Sequence, residues 1–310
     1  MVGGGAAGLS AALILGRSCR SVLVVDAGQP RNAPAAHMQG YLTRDGMPPE
    51  EFLAAGRQEI EQYGVRLVKD EVTDIAPYGK GDSRPYGKGE FEVRLRKGPS
   101  VHARRVVIAT GLVDELPGIP GLAERWGRDV LHCPYCHGWE VRGRAFGVLA
   151  HPALGAHQAL LLTQWSPSVT LFMHDVAELP EGQRAQLKAA GVPIVEGPVC
   201  ELVVEDNQLT GLRTAEGKVV PVDVLFAAGR PVPRDTLLKR LGARTTDTPV
   251  GPYPEVDPTG RTSVPGIWAV GNAAGPTEQV INAASAGYRA GATINAELTF
   301  ADLERVMKDA

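Results

Sequence analysis

The chain has 310 residues, 44% of them hydrophobic, enough for about two globular domains. Its 32 basic and 35 acidic side chains leave a net charge of −3. No long-range positive field is present to hold a nucleic-acid backbone or an anionic membrane, so those partners are excluded. No apolar run reaches the roughly 18 residues of a membrane span, and the opening Met1-Val2-Gly3-Gly4-Gly5 lacks the regions of a signal peptide. A cytoplasmic protein is expected. Four cysteines are too few for a disulfide scaffold, and a close pair in a reducing compartment reads as catalytic or metal-binding.

In chain order, the first segment carries Gly3-x-Gly5-x-x-Gly8, then an apolar helical stretch from Leu9 to Leu15, then the strand Val22 to Val25 ending at Asp26. Glycines at this spacing let backbone N–H groups approach a pyrophosphate at the positive end of a helix. A carboxylate at the following strand tip can accept from a ribose hydroxyl. A tight strand-to-helix turn needs glycine for steric reasons too, so it is the ordered combination that points to a dinucleotide. Only Met1 and Val2 stand where a first strand should be, so either the start is truncated or that strand is unusually short.

A Pro/Gly-rich connection (Gln29-Pro30-Arg31-Asn32) leads to a helix expected over Pro49 to Tyr63 and a strand near Val65 to Val68. A turn-rich segment from Pro77 to Gly89 precedes the alternating Phe91-Glu92-Val93-Arg94-Leu95. Val106 to Ala109 then runs into the tight turn Thr110-Gly111. From Asp114 a second unit begins. It holds Cys133 and Cys136, the strand Phe146 to Leu149, a helix over Leu154 to Trp165 and the strand Val169 to Phe172, an internal echo of residues 1–26. The strand Val222 to Ala227, ending in Ala228-Gly229-Arg230, echoes the Thr110-Gly111 turn. Near the C-terminus a strand ends at Gly271-Asn272, before a helix over Gln279 to Asn295 with small residues at helical spacing. The expected fold is α/β with two doubly wound Rossmann-like domains. Residues 1–113 and 243–310 form one discontinuous domain, and residues 114–242 are inserted into it.

Gly3-x-Gly5-x-x-Gly8, Ala109-Thr110-Gly111, Cys133-Pro134-Tyr135-Cys136 and Thr262-Ser263-Val264-Pro265-Gly266 through Gly271-Asn272, in this order, resemble the low-molecular-weight thioredoxin reductases. The resemblance covers essentially the whole chain. It implies an FAD-dependent disulfide oxidoreductase, an FAD domain built from both chain ends, an inserted domain of the NADPH-binding type and a homodimer. It also implies that Gly3, Gly5 and Gly8 hold the pyrophosphate and Asp26 the adenosine ribose. Thr110 and Gly111 would line the cofactor, with Gly271 and Asn272 near the ribityl and phosphate region. Gln279 and Val280 would lie near the flavin pyrimidine edge. The family usually has aspartate where this chain has Asn272, a tuning change because an amide also hydrogen-bonds.

Two cysteines two residues apart can close a small disulfide and resolve each other's mixed disulfides, as thiol exchange requires. By resemblance Cys136 contacts the flavin and Cys133 exchanges with substrate. His137 replaces the usual aspartate acid/base, and an imidazole can accept a thiol proton. The plainer alternative is a structural zinc site using His132 and His137. Zinc usually recruits two separated pairs, however, and Cys19 and Cys200 are isolated, most simply as small buried hydrophobes. No metal is expected.

The inserted domain departs from the family at Ala150-His151-Pro152-Ala153-Leu154-Gly155, where a G-x-G-x-x-A turn belongs. Pro152 has no N–H, and Ala150 and His151 carry side chains into the path of a phosphate. After the next strand, Met173-His174-Asp175 replaces a basic cluster that would grip a 2′-phosphate. NAD(P)H binding is therefore doubtful, and the domain is read as keeping its fold to position the cysteines. Cys133 to Gly138 also resembles the flavin-dependent dithiol oxidases that close disulfides in natural products such as gliotoxin and holomycin. Dithiol oxidation with oxygen as acceptor is the favoured direction, on a small-molecule dithiol or a thioredoxin-like protein. An NAD(P)H- or ferredoxin-driven reductase and a flavin redox sensor without turnover are the alternatives.

Overall fold

The computed structural model describes residues 1–78, 90–151 and 156–309. The chain forms two compact units. One comprises Met1–Ala33, Pro49–Val113 and Pro231–Ala310, and the other Pro34–Pro48 and Asp114–Arg230. The expectation placed the return to the first domain at residue 243, and the first compact unit resumes at Pro231. The reason is packing: Leu237, Leu238 and Leu241, on and after the helix Thr236–Arg240, are buried with Val25, Phe91 and Ile108 of the first unit.

In the first unit Arg66–Lys69 pairs in parallel with Leu23–Asp26, and Val106–Ile108 with Ile267–Ala269. Val2 joins the two pairs, bridging Val25 on one side and Ile108 on the other. The N–H of Val2 donates to Val107 (2.9 Å), Gly3 to Val25 (2.8 Å), Val25 to Met1 (2.9 Å) and Ala109 to Val2 (2.8 Å). Met1 to Gly3 thus bond to strands on both edges. An antiparallel sheet of Val72–Pro77, Phe91–Leu95 and Val101–Ala103 adds to this unit. The turn-rich segment expected over Pro77 to Gly89 lies, from residue 79 on, outside the described residues.

The helix Ala6–Arg17 packs against the last helix, which runs from Val280 past the expected Asn295 to Asp309. Glycines make their close approach possible. A Cβ on Gly287 would lie 2.0 Å from the Ala7 carbonyl oxygen, and one on Gly291 2.1 Å from Ile14 Cγ2. Gly287→Ala therefore forces the helices apart. The expected cost is about 1–3 kcal/mol of stability, read as a lower denaturation midpoint with an unchanged slope.

The second unit is built on a five-stranded parallel sheet in the order Ile194–Val195, Val169–Phe172, Phe146–Leu149, Val224–Phe226, Val130–Leu131. Both faces are covered, by Phe146, Val148, Leu171 and Phe226 on one side and Leu122, Phe172, Leu212 and Leu225 on the other. Such strands read as continuous apolar runs, which is why the sequence exposes them. The antiparallel strands Val199–Glu205, Gln208–Thr214 and Val219–Pro221 complete the unit. Among the described residues no helix is long and apolar enough to cross a membrane.

Candidate active site

In the first unit the glycine turn divides by role. Gly3 has φ +106°, and a Cβ there would sit 2.3 Å from the Ala109 carbonyl oxygen; one on Gly8 would sit 2.0 Å from the Gly3 oxygen. These two are glycine for packing. A Cβ on Gly5 would meet nothing within 4 Å, so open space lies on the side where a ligand can approach. Gly5 is the N-cap of the twelve-residue helix Ala6–Arg17, whose first turn has neither a capping side chain nor an acidic residue. That positive end suits an anionic pyrophosphate.

Asp26 closes against this turn. Its Oδ1 accepts from Gly4 N (3.1 Å) and Gly28 N (3.2 Å), while Oδ2 lies 3.9 Å from Arg57. Those bonds fix the carboxylate and leave it acceptor capacity for a hydroxyl. Thr110 donates its hydroxyl to the Arg234 carbonyl (2.7 Å), and Gly111 follows at φ +72°. Gly271, at φ +62°, packs on the first helix so closely that its Cβ would be 2.9 Å from Ala7 Cβ. The structure thereby brings Gly3, Gly5, Gly8 and Gly271 to one region. Asn272 reaches Arg31 (3.4 Å), a residue the motif reading passed over in the loop after Asp26. Gln279 and Val280 stand at the entrance of the last helix, with the Gln279 carbonyl accepting from Ala283 N (2.8 Å). Beside them burial pushes the Glu278 carboxyl above its ordinary range, opposed by Arg289. The open face at Gly5 and the anchored Asp26 fit an FAD.

In the second unit Val130–Leu131 ends one strand of the parallel sheet, at the carboxyl edge where α/β sheets bind ligands. His132 follows, and Cys133 is the N-cap of the short helix Pro134–His137. Pro134 at the first helical position has its φ already set and needs no donor there. Cys136 N donates to Cys133 O (3.2 Å) and Gly138 N to Pro134 O (2.7 Å). A Cβ on Gly138 would lie 2.6 Å from that oxygen and 3.0 Å from the Trp165 ring. Tyr135 packs edge-on against the same ring at 5.7 Å, and Gln158 donates to the His132 carbonyl. Both cysteines are half-buried.

His137 ends this turn. Burial holds its pKa below the ordinary imidazole value, with nearby Glu140 acting the other way. The ring is therefore neutral at pH 7, with a nitrogen available to take a thiol proton. His137→Asn is expected to lower kcat/KM at pH 7.5 by about 10²-fold or more. In the parent enzyme activity should fall only as pH drops below about 6.5, since protonation disables the base. The check is a pH–rate profile, in which the variant lacks that acid limb.

Among the described residues no group of three or more His, Cys, Asp or Glu gathers in a metal-binding arrangement. Cys19 and Cys200 are exposed, correcting the reading of both as buried hydrophobes. Cys19 takes the left-handed conformation (φ +59°) just past the first helix, and Cys200 lies on the outer side of Val199–Glu205.

At the counterpart of the glycine turn, Ala150 is buried and its N–H is spent on Phe172 O (2.8 Å). His151 is half-buried, with its pKa lowered by burial. Pro152, Ala153, Leu154 and Gly155 lie outside the described residues. After Val169–Phe172, His174 sits at φ +47° and folds back so that Nδ1 accepts from Val199 N (3.1 Å). Its Nε2 is 3.1 Å from Asp175, whose carboxylate is exposed at the strand tip.

A dinucleotide cradle in one unit and a cysteine pair in a second parallel-sheet unit define a flavin-dependent disulfide oxidoreductase of thioredoxin reductase type. The chain belongs to the pyridine nucleotide-disulphide oxidoreductase family, whose model matches residues 1–287. Such thioredoxin reductase-like enzymes bind FAD and act on thiols and disulfides. The chain is 33% identical over 313 residues to the thioredoxin reductase tcpT of Claviceps purpurea, covering 98% of this chain and 94% of that protein. It is 30% identical over 316 residues to the thioredoxin reductase sirT of Leptosphaeria maculans, with the same two coverages. The crystal structure of HlmI superposes with a TM-score of 0.92 at 46% identity, covering 100% of this chain and 94% of that one.

Proposed function

We propose that this enzyme oxidises a small-molecule dithiol to its disulfide, with oxygen as final acceptor and hydrogen peroxide as product. The observation that carries the reading is the turn holding Cys133 and Cys136 beside a neutral His137. The bound FAD supplies two-electron acceptance from thiols and reoxidation by oxygen. Gly5 would hold its pyrophosphate at the first helix, in the turn that Gly3 and Gly8 allow to close, Asp26 its ribose, and Thr110, Gly111, Gly271, Asn272, Gln279 and Val280 the remaining length.

In the oxidised pair, a substrate thiolate attacks Cys133 Sγ. The Cys133–Cys136 bond breaks, a mixed disulfide forms on Cys133, and Cys136 leaves as a thiolate. His137 accepts a proton from the second substrate thiol, which attacks the substrate sulfur of the mixed disulfide. The substrate disulfide closes, and Cys133 departs carrying the two electrons shared with Cys136. By the family resemblance, Cys136 would be the sulfur that passes these electrons to the flavin.

The direction is supported by the second unit, where His174 is turned into the fold and Asp175 presents a negative charge. The resemblance of Cys133 to Gly138 to the gliotoxin- and holomycin-type dithiol oxidases supports it too. A homodimeric state and a cytoplasmic location belong to the same reading. The competing direction, a reductase driven by NAD(P)H, is favoured by the names of the two fungal relatives. The test is to mix the yellow protein with a dithiol in air and follow peroxide. One peroxide per dithiol over many turnovers supports oxidation, and a single turnover that stops indicates a sensor.

A further inference from the structure

The five-stranded parallel sheet has two ends, and the cysteine turn occupies one of them. Cys133 and Ala150 follow their strands at the carboxyl end. Asp129, Ala145 and Asp223 directly precede the adjacent strands Val130–Leu131, Phe146–Leu149 and Val224–Phe226 at the amino end. A cavity of about 630 Å³ opens there, lined by Arg125, Arg128, Asp129, Arg144 and residues 206–208. That volume is of small-molecule size.

Two of its charges cancel. Arg125 is buried and donates through Nε and Nη2 to both oxygens of Asp129, and through Nη2 to the Asn207 carbonyl (2.9 Å). Asp129 Oδ2 also accepts from Leu209 N (3.0 Å). These bonds hold the left-handed turn at Asp206 (φ +47°) and Asn207 (φ +60°) against the start of the strand, so the wall of the cavity is fixed. Arg128 is exposed and Arg144 half-buried, and among the described residues neither is in an ion pair. Arg144 Nη2 donates to the Asp223 carbonyl (3.1 Å), while the Asp223 carboxylate is turned to Ala145 N (2.9 Å). Against these two cations stands one exposed carboxylate, Asp206, and the cavity keeps a net positive charge.

We propose that this cavity is an anion site that takes a phosphate group, free or carried on a small molecule, between Arg128 and Arg144. Two guanidiniums match the two charges of a phosphate, and their forked donors match its oxygens. A monocarboxylate would neutralise only one of them. Asp206 opposes the anion and limits its affinity. The cysteines, the glycine turn of the first unit and the direction of the thiol reaction play no part in the site.

Isothermal titration calorimetry of the FAD-loaded enzyme at pH 8 and low salt, with inorganic phosphate and with ribose 5-phosphate, tests it. One equivalent of probe should bind saturably. Arg128→Gln and Arg144→Gln should each weaken binding about tenfold or more. Asp206→Asn should tighten it about fivefold, by removing one like charge in a water-like dielectric. Tightening cannot come from misfolding, so this variant keeps the test open if an arginine variant folds poorly. Ribose 5-phosphate binding more tightly than inorganic phosphate makes the ligand a phosphorylated small molecule, and the reverse makes it the free ion; either result supports the site. No saturable binding of either probe, or binding that all three variants leave unchanged, overturns it.

Discussion

Cys136→Ser is expected to abolish dithiol turnover, a loss of at least about 10³-fold, while leaving FAD bound. A serine hydroxyl cannot form the intramolecular disulfide, so the two-electron exchange has no resolving partner. Cys133→Ser should lose turnover to the same degree, and the two variants are told apart by what each traps. Offered the substrate in its disulfide form, Cys136→Ser accumulates a mixed disulfide on Cys133, seen as one substrate equivalent added to the protein mass. Cys133→Ser keeps Cys136 and leaves a thiol able to contact the flavin, so its visible spectrum should depart from that of Cys136→Ser. The turn itself should survive both changes. It is held by Pro134, by the Gly138 bond to the Pro134 carbonyl, and by Tyr135 and Gly138 against Trp165, none of which involves a sulfur. Full turnover by Cys136→Ser would overturn the role of the pair, and a mixed disulfide trapped by Cys133→Ser instead would reverse the assignment of roles.

Local pattern made part of this site legible. Phe146–Leu149 and Val169–Phe172 lie where their apolar runs predict, because strands buried on both faces leave continuous runs in the sequence. The glycine turn was readable because a ligand cradle and a tight helix–strand approach select the same residue. Only the structure separates them, giving Gly3 and Gly8 to packing and Gly5 to open space. Contacts between distant segments left no such signal. The helix Thr236–Arg240 belongs to the first unit because its leucines meet Val25 and Ile108, which no local property of residues 231–242 announces. Asn272 and Arg31 are 241 residues apart, and their hydrogen bond follows from the close packing of the first and last helices. The exposure of Cys19 was hidden because a cysteine at a helix end has the same letter as one in a core. His137 was legible as a candidate base, but its neutrality at pH 7 comes from burial within its unit.

In an anaerobic cuvette a small dithiol should bleach the bound flavin, while NADPH at the same concentration does so at least about a hundredfold more slowly. The contrast between the two units sets this expectation. Where Gly5 stands beside open space at a helix end, the matching position in the second unit is Pro152, which has no N–H to give a phosphate. Each phosphate-facing N–H withdrawn costs about 1–3 kcal/mol when the phosphate loses its water. His174, at the tip of the next strand, is turned inward by its bond from Val199 N and gives no cation to a 2′-phosphate. Asp175 there adds repulsion of about 1 kcal/mol per unit charge in a water-like dielectric. NADH lacks the 2′-phosphate and escapes that last penalty, so it should rank between NADPH and the dithiol. Asp175→Asn should narrow the gap between NADH and NADPH without bringing either near the dithiol rate, because Pro152 still gives the phosphates no N–H. Rapid bleaching by NADPH, followed by turnover on thioredoxin, would instead place this chain among the reductases. Nucleotide binding would then have to use a pose that needs neither a glycine turn nor a basic strand tip.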